Sequence, residues 1–282
     1  MASLSWAYQL RYGLGRIKKA LQERRDRRDW NAEVSEEIKV SRARLRELKN
    51  KYRGQRCFVI GNGPSLGKMD LNLLRDEYVF ASNAFFLKLP DLNFRPQFFS
   101  VEDHLVAEDY REDFANLKDT FKFYPYDLRE TLRFDDNSAY VLFSRAYDVM
   151  LSEEKFPKFS SDALNETYWG GTVLFFNLQL AAFMGFEKIY LIGVDLTYKI
   201  PEGIKQRGSV LISTADDPNH FDPRYFGAGK RWHLPETERM QRAFWRACCS
   251  LRDEGKELFN ATVGGNLQQV PRANYEDLFK SR

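Results

Sequence analysis

The chain has 282 residues, with 43 Lys+Arg against 40 Asp+Glu and a formal net charge of +3. Its length suits one large α/β domain or one domain with appendages, and an aromatic content of 15% argues against a disordered chain. The near-neutral average argues against a dedicated nucleic-acid binder, but it hides a split: residues 1–53 hold 15 basic and 7 acidic residues, net +8, and the rest hold 28 and 33, net −5.

Residues 1–30 read as a basic amphipathic helix. Trp6, Leu10, Leu14, Ile17 and Leu21 recur at steps of four, four, three and four, which makes one apolar stripe. Arg11, Arg16, Lys18, Lys19, Arg24, Arg25, Arg27 and Arg28 crowd the remaining faces, and Gly13 and Gly15 weaken the helix. A second helix is expected over about 33–52, carrying Val34, Ile38, Leu45, Leu48 and Tyr52 among charges. Two readings stay open. Both helices pack on the body or on a second subunit of a homo-oligomer; or residues 1–30 lie in the plane of an anionic membrane, with Trp6, Tyr8 and Tyr12 at headgroup level. No recognised binding module accompanies the basic residues, so nucleic acid is not an expected partner. The expected division is a basic helical extension over 1–53 and a body over 54–282.

In the body, strands and helices alternate. Cys57–Gly61, Tyr78–Asn83, Gln97–Glu102, Phe121–Tyr124, Tyr140–Phe143, Lys188–Asp195 and Glu257–Thr262 are strand candidates. Gly171–Met184 and Glu236–Asp253 are helix candidates, the second stopped by Gly255. Near-continuous apolar strands alternating with helices imply an α/β fold: a mainly parallel sheet with helices on both faces. The stretch 199–235 lacks periodicity and is rich in Gly, Pro, Asp and His, so it is expected to be a structureless lid. Three cysteines (Cys57, Cys248 and Cys249) without metal spacing fit a reducing cytoplasm. No apolar run reaches spanning length and no signal peptide is recognised, so a cytoplasmic location is expected, extending to peripheral association with the inner face of the membrane.

The strongest local signal is Gly61-Asn62-Gly63-Pro64-Ser65-Leu66, directly after the first strand. Glycines let the backbone approach a ligand, and a following helix N-terminus would attract phosphate. It is not a P-loop, because Asn62 stands where the upstream glycine should be and Met69 replaces the Ser/Thr. Nor is it the dinucleotide fingerprint, and Asn83 occupies the place of the ribose-binding acid. The plain alternative is a tight βα turn. Glu102, Asp103 and Asp195 also follow strands, where open sheets bind ligands, although each suits a helix cap or turn equally well. Gly170-Gly171-Thr172 makes a second glycine-rich helix start. Of three histidines, His104, His220 and His233, the last two fall in the lid, where a general base could act. Tyr198 and Tyr225 are candidate donors to a leaving phosphate.

Together, Gly61–Leu66, Ser82-Asn83, Gly185–Asp195 and Asn219-His220-Phe221 resemble a Rossmann-like transferase family. It includes bacterial sialyltransferases, motility-associated flagellin glycosyltransferases and archaeal 6-hydroxymethylpterin diphosphokinases. The resemblance covers about 54–280. In the sialyltransferase branch it implies metal-independent transfer from a CMP-activated acidic sugar, a sialic-acid-like nonulosonate. Asn62 and Asn83 match the asparagines that hold the cytidine nucleotide, and Gly170-Gly171-Thr172 matches the family's helix start. Tyr198 is similar to a phosphate-bonding tyrosine but stands one residue later. The family's base is not matched, since Arg224 or Tyr225 falls at its place, so His220 and His233 both remain. The acid pair Glu102-Asp103 is nearer the flagellin and pterin branches and allows a metal at Asp103.

The expected protein is therefore a glycosyltransferase of cell-envelope polysaccharide synthesis, with no required cofactor beyond its nucleotide-sugar donor and a glycan or lipid-linked acceptor. The alternatives are an ATP- and Mg²⁺-dependent pterin-type diphosphokinase, with the ion near Asp103 and Asp195, and a non-catalytic nucleotide-binding scaffold.

Overall fold

The computed structural model describes residues 6–147, 156–200, 203–207 and 210–280, with backbone only for 6–16. Helix α1 spans Trp6–Asn31 and α2 spans Glu36–Leu48. Ser35 caps α2 by accepting from Ile38 N at 3.3 Å, and Glu36 and Glu37 sit at its positive end. Trp30, Ile38, Leu45 and Leu48 join the same buried cluster as the sheet, so the division at residue 53 is one of charge and not of packing.

The central sheet takes β1 (Arg56–Ile60), β2 (Tyr78–Ser82), β3 (Phe98–Ser100), β4 (Phe121–Pro125) and β5 (Ser138–Val141) in sequence order. A two-strand pair, β6 (Phe143–Ser144) and β7 (Thr167–Tyr168), follows. The chain then crosses back through α5 (Val173–Met184) to β8 (Lys188–Ile192). After the 199–235 stretch, α6 (Thr237–Asp253) leads to the last sheet strand (Glu257–Asn260). That strand, β8, β1, β2, β3, β4 and β5 are the spatial order, and every pairing is parallel. The fold is thus Rossmann-like α/β with helices around a parallel sheet, as the apolar strand runs imply. The order reverses between β1 and β8, and open α/β sheets bind ligands at the carboxyl ends beside such a reversal.

Aromatic contacts hold the layers together. Tyr52, just past α2, stacks on Phe186 at 4.8 Å and meets Tyr78 edge-on at 4.7 Å. Phe80 and Phe98 on neighbouring strands lie 4.6 Å apart. The buried rings among them, Phe80, Phe98 and Phe186, each contribute about 2 kcal/mol by leaving water. Helix α5 is buried all round, which explains why its sequence shows apolar content without an amphipathic stripe.

Two expectations need correction. The 199–235 stretch is not structureless: Lys205–Arg207, Val210–Ile212 and Arg231–His233 (β9, β10 and β11) form a small antiparallel sheet. And the Gly61 loop runs into a five-residue 3-10 turn, Pro64–Lys68, not an α-helix. The macrodipole argument for phosphate at that place therefore fails, because a single 3-10 turn aligns too few peptides.

Candidate functional site

The site grows from the reversal between β1 and β8. Gly61 N donates to Ile192 O at 2.7 Å and Gly63 N to Gly193 O at 2.9 Å, which stitches the ends of both strands together. A Cβ on Gly61 would stand 2.4 Å from Gly193 O, and one on Gly63 would stand 1.9 Å from an Asp195 carboxylate oxygen. Both glycines are thus demanded by close approach. Asp195 accepts from Ser65 Oγ at 2.7 Å and from Ser65 N at 3.3 Å, so it anchors the loop.

A cleft of about 510 Å³, measured out to its open mouth, opens above this junction. Gly61, Asn62, Gly63, Asn83, Thr172, Asp195, Tyr198, His220 and Tyr225 all line it. Pro64, Ser65, Asp103, Gly170, Gly171 and His233 do not line it. Pro64 and Ser65 sit in the turn behind the loop, and Gly170-Gly171 leads to Thr172, whose Oγ1 accepts from Leu174 N at 3.4 Å and caps α5. The N-terminus of this longer helix, through Thr172, Val173 and Leu174, is the one that faces the cleft.

Asn62 Nδ2 donates to Ser82 O at 3.2 Å and to the Tyr225 hydroxyl at 3.1 Å. Asn83 holds φ +54°, a left-handed conformation asparagine tolerates better than most residues. Its side chain and the Ala84 N–H also act on the Tyr225 hydroxyl. Both asparagines leave a buried side-chain oxygen, Oδ1, with no hydrogen-bond partner. Burying an acceptor without a donor costs about 1–3 kcal/mol, so each oxygen would gain from a donor brought to it. Tyr225 is 1% exposed, and burial pushes its phenol well above its ordinary value. Burial, with Asp195 and Asp217 nearby, pushes Tyr198 up to about 12. Both phenols stay neutral near pH 7.

His220 stacks flat on Tyr225, ring centroids 3.9 Å apart, and meets Phe226 edge-on at 5.2 Å. Its Nδ1 lies 2.6 Å from Asp217 Oδ2. Asp217 is buried and also accepts from Asn219 N at 2.8 Å and Phe226 N at 3.1 Å, which fixes its carboxylate. Phe221 N donates to Asn62 O at 3.0 Å, tying the two halves of the cleft. Asp217 was not singled out from the sequence, although an aspartate three residues before a histidine in Asp217-Pro-Asn-His220 carried the signal.

His233 lies elsewhere. Its Nδ1 is 2.7 Å from Asp103 Oδ2, while Asp103 Oδ1 caps α3 (His104–Asp109) through Leu105 N at 2.7 Å and Val106 N at 3.2 Å. The hydrogen bond to Asp103 holds His233 above its ordinary value. Burial would raise Asp103, but His233 and the helix N–H groups hold it below the usual carboxylate range. Around this pair stands a buried ionic cluster that no sequence motif announced. Arg145 Nε donates to Asp127 at 2.6 Å, and Arg145 Nη2 donates to Glu102 O at 2.5 Å. Burial pushes the Glu102 carboxyl up to about 8, and its Oε2 has no partner.

The Mg²⁺ site expected near Asp103 and Asp195 does not fit these residues. The two carboxylates follow β3 and β8, three strand positions apart in the sheet, which is about 14 Å. Each is already engaged by its own N–H, hydroxyl or imidazole partners. Among the described residues, no group of three or more His, Cys, Asp or Glu converges as metal ligands.

The fold and the site define a Rossmann-like α/β protein with a polar cleft at the reversal of its parallel sheet. The chain belongs to the 6-hydroxymethylpterin diphosphokinase MptE-like family, whose model matches residues 33–201. That match takes in α2, which the sequence resemblance had left outside. No curated protein matches the chain. Among solved structures, the chain is similar to the MAf glycosyltransferase from Magnetospirillum magneticum AMB-1, at 15% identity and TM-score 0.46 over 84% of this chain, and it spans only 38% of that one. It is also similar to an asparagine-to-alanine variant of the sialyltransferase CST-II in complex with CMP, at 14% identity and TM-score 0.46 over 80% of this chain and 88% of that one. A CstII structure from Campylobacter jejuni with cytidine-5'-monophosphate gives 14% identity, TM-score 0.39 and 79% and 88% coverage. Scores of this size mark loose likeness.

Proposed function

We propose that the protein is a glycosyltransferase that moves a sugar from a CMP-activated donor, a sialic-acid-like nonulosonate, to a hydroxyl of a glycan or lipid-linked acceptor. The observation that carries this reading is the pair of unpartnered oxygens, Asn62 Oδ1 and Asn83 Oδ1, beside the same cleft as the Asp217–His220 pair. Two acceptors without donors suit a ligand that presents N–H or O–H groups, as the cytosine amine and the ribose do. The N-terminus of α5 at Thr172 suits the donor phosphate.

In this mechanism the acceptor oxygen attacks the anomeric carbon as the bond to the CMP phosphate oxygen breaks. His220 Nε2 takes the acceptor proton, and Asp217 holds the Nδ1–H and stabilises the imidazolium that forms. Neutral Tyr198 donates to the departing phosphate. Tyr225 acts as a positioning residue, because its hydroxyl accepts from Asn62 and its ring is the shelf for His220.

The family description favours a second reading, diphosphoryl transfer from ATP to a pterin alcohol. The cleft would then take ATP with Mg²⁺ in place of CMP. Thermal shift separates the two: stabilisation by CMP or CDP and none by ATP with Mg²⁺ supports the glycosyltransferase, and the reverse result overturns it. Stabilisation by CMP without release of CMP from any activated sugar would leave a nucleotide-binding scaffold.

A further inference from the structure

The basic start of the chain has a face that the body does not use. Helix α1 is pinned along one side. Glu23 accepts from Arg145 N at 2.7 Å and Ala146 N at 2.6 Å. Asp26 pairs with Arg129 at 3.1 Å, and Trp30 Nε1 donates to Leu164 O at 2.9 Å. These three residues share one helix face. Ile17 and Leu21 lie about 120–180° around the axis from them at 3.6 residues per turn. They are 58% and 50% exposed. Ile17 and Leu21 therefore turn away from the body; the side chains of Trp6, Tyr8, Leu10, Tyr12 and Leu14 lie outside the described residues. Beside them stand exposed Lys18, Arg24, Arg25 and Arg28, the last paired with Asp29 at 3.1 Å, while the acidic Glu23 and Asp26 are engaged on the opposite side.

We infer that this face of α1 docks on an anionic lipid surface, with Ile17 and Leu21 entering the headgroup–acyl boundary and Lys18, Arg24, Arg25 and Arg28 meeting lipid phosphates. Charge decides the occupant. A second copy of the chain would bring the same cations face to face, whereas an anionic bilayer supplies the opposite charge. No helix among the described residues is long and apolar enough to cross a membrane, so the contact is in-plane. The same helix reaches the second histidine: the Lys19 ammonium is near enough to His233 to lower its proton affinity. The inference stands independently of the transferase reading, and its test uses no turnover.

The test is co-sedimentation of the full chain with vesicles of phosphatidylcholine alone and with added phosphatidylglycerol, at low and physiological salt. The expected result is binding only to the anionic vesicles, weakened by salt. Arg24→Ser with Arg25→Ser should weaken it about fivefold per charge removed. Ile17→Glu with Leu21→Glu should abolish it, and neither pair should lower the melting temperature, since these side chains face solvent. Equal binding to neutral vesicles, no binding to anionic ones, or binding that survives Ile17→Glu with Leu21→Glu overturns the inference. So does a dimer by light scattering that those substitutions dissolve while vesicles are ignored, which would make the face a contact between copies.

Discussion

Two histidines in this molecule make the same local pair and sit in opposite surroundings. His220 and His233 each place Nδ1 within hydrogen-bond distance of an aspartate, 2.6 Å from Asp217 and 2.7 Å from Asp103. The His220 side chain is 14% exposed, stacked on Tyr225 and part of the cleft wall; that of His233 is 44% exposed and ends β11 against α3. A His–Asp pair alone therefore does not mark a catalytic base. What separates the two is the company: the cleft with Asn62 and Asn83 beside His220, and an ionic cluster of Arg145, Asp127 and Glu102 around His233. The first arrangement lines an open cleft; the second fastens the 199–235 region to the body, together with Arg231, which bonds Asp109 and Glu108.

The largest expected effect tests the difference directly. His220→Ala should lower the transfer rate about 10²–10⁴-fold, the usual contribution of a general base, with little change in CMP affinity. His233→Ala should change it less than tenfold, and an equal loss in both variants would erase the distinction. Next in size is Glu102. Its folded value of about 8 exceeds its ordinary 4.5, so the buried carboxyl destabilises the protein increasingly as pH rises from 4.5 to 8. Glu102→Gln should therefore stabilise by roughly a few kcal/mol at pH 8, and hardly at all at pH 4, read by urea unfolding. An unchanged pH dependence would show that the cluster does not hold Glu102 as described.

A smaller effect is expected at the asparagines. Asn62→Ala should weaken CMP binding about ten- to hundredfold, measured by calorimetry, while leaving vesicle binding alone. The smallest concerns the His233 latch. His233 is raised, so its contribution is fully present below its unfolded value near 6.5 and is lost as pH rises through the folded value. Asp103 is lowered, so its contribution is present above its unfolded value near 3.8 and is lost as pH falls through the folded value. Hydrogen-exchange protection of β9–β11 should thus be greatest between about pH 4 and 6.5, and His233→Gln should flatten that profile.

The sheet was legible because its strands are buried on both faces and read as apolar runs, of which Lys188–Ile192 is the clearest. The strand expected over Gln97–Glu102 pairs only at Phe98–Ser100, because beyond Ser100 the chain turns to cap α3 with Asp103. The small antiparallel sheet escaped notice for a different reason. Its strands have three residues each, and Arg231–His233 joins Val210–Ile212 across a long separation, so no local period exists to read. In the site, the glycine loop and both asparagines were legible from order along the strands. Which histidine lines the cleft was not, because it depends on Asp217, Tyr225 and Phe226 folding around His220. The apolar spacing of Ile17 and Leu21 on α1 was legible too, but not their direction, since only the contacts of Glu23, Asp26 and Trp30 show that these two side chains turn outward.

Under the proposed function, a cytidine nucleotide occupies the cleft with His220 at its reacting end. A crystal structure with CMP tests it most directly. It should place the base or ribose donors on Asn62 Oδ1 and Asn83 Oδ1, the phosphate at the Thr172 end of α5, and His220 nearer that phosphate than His233. A nucleotide seated outside the cleft, or a phosphate beside His233 and Asp103, would contradict the account.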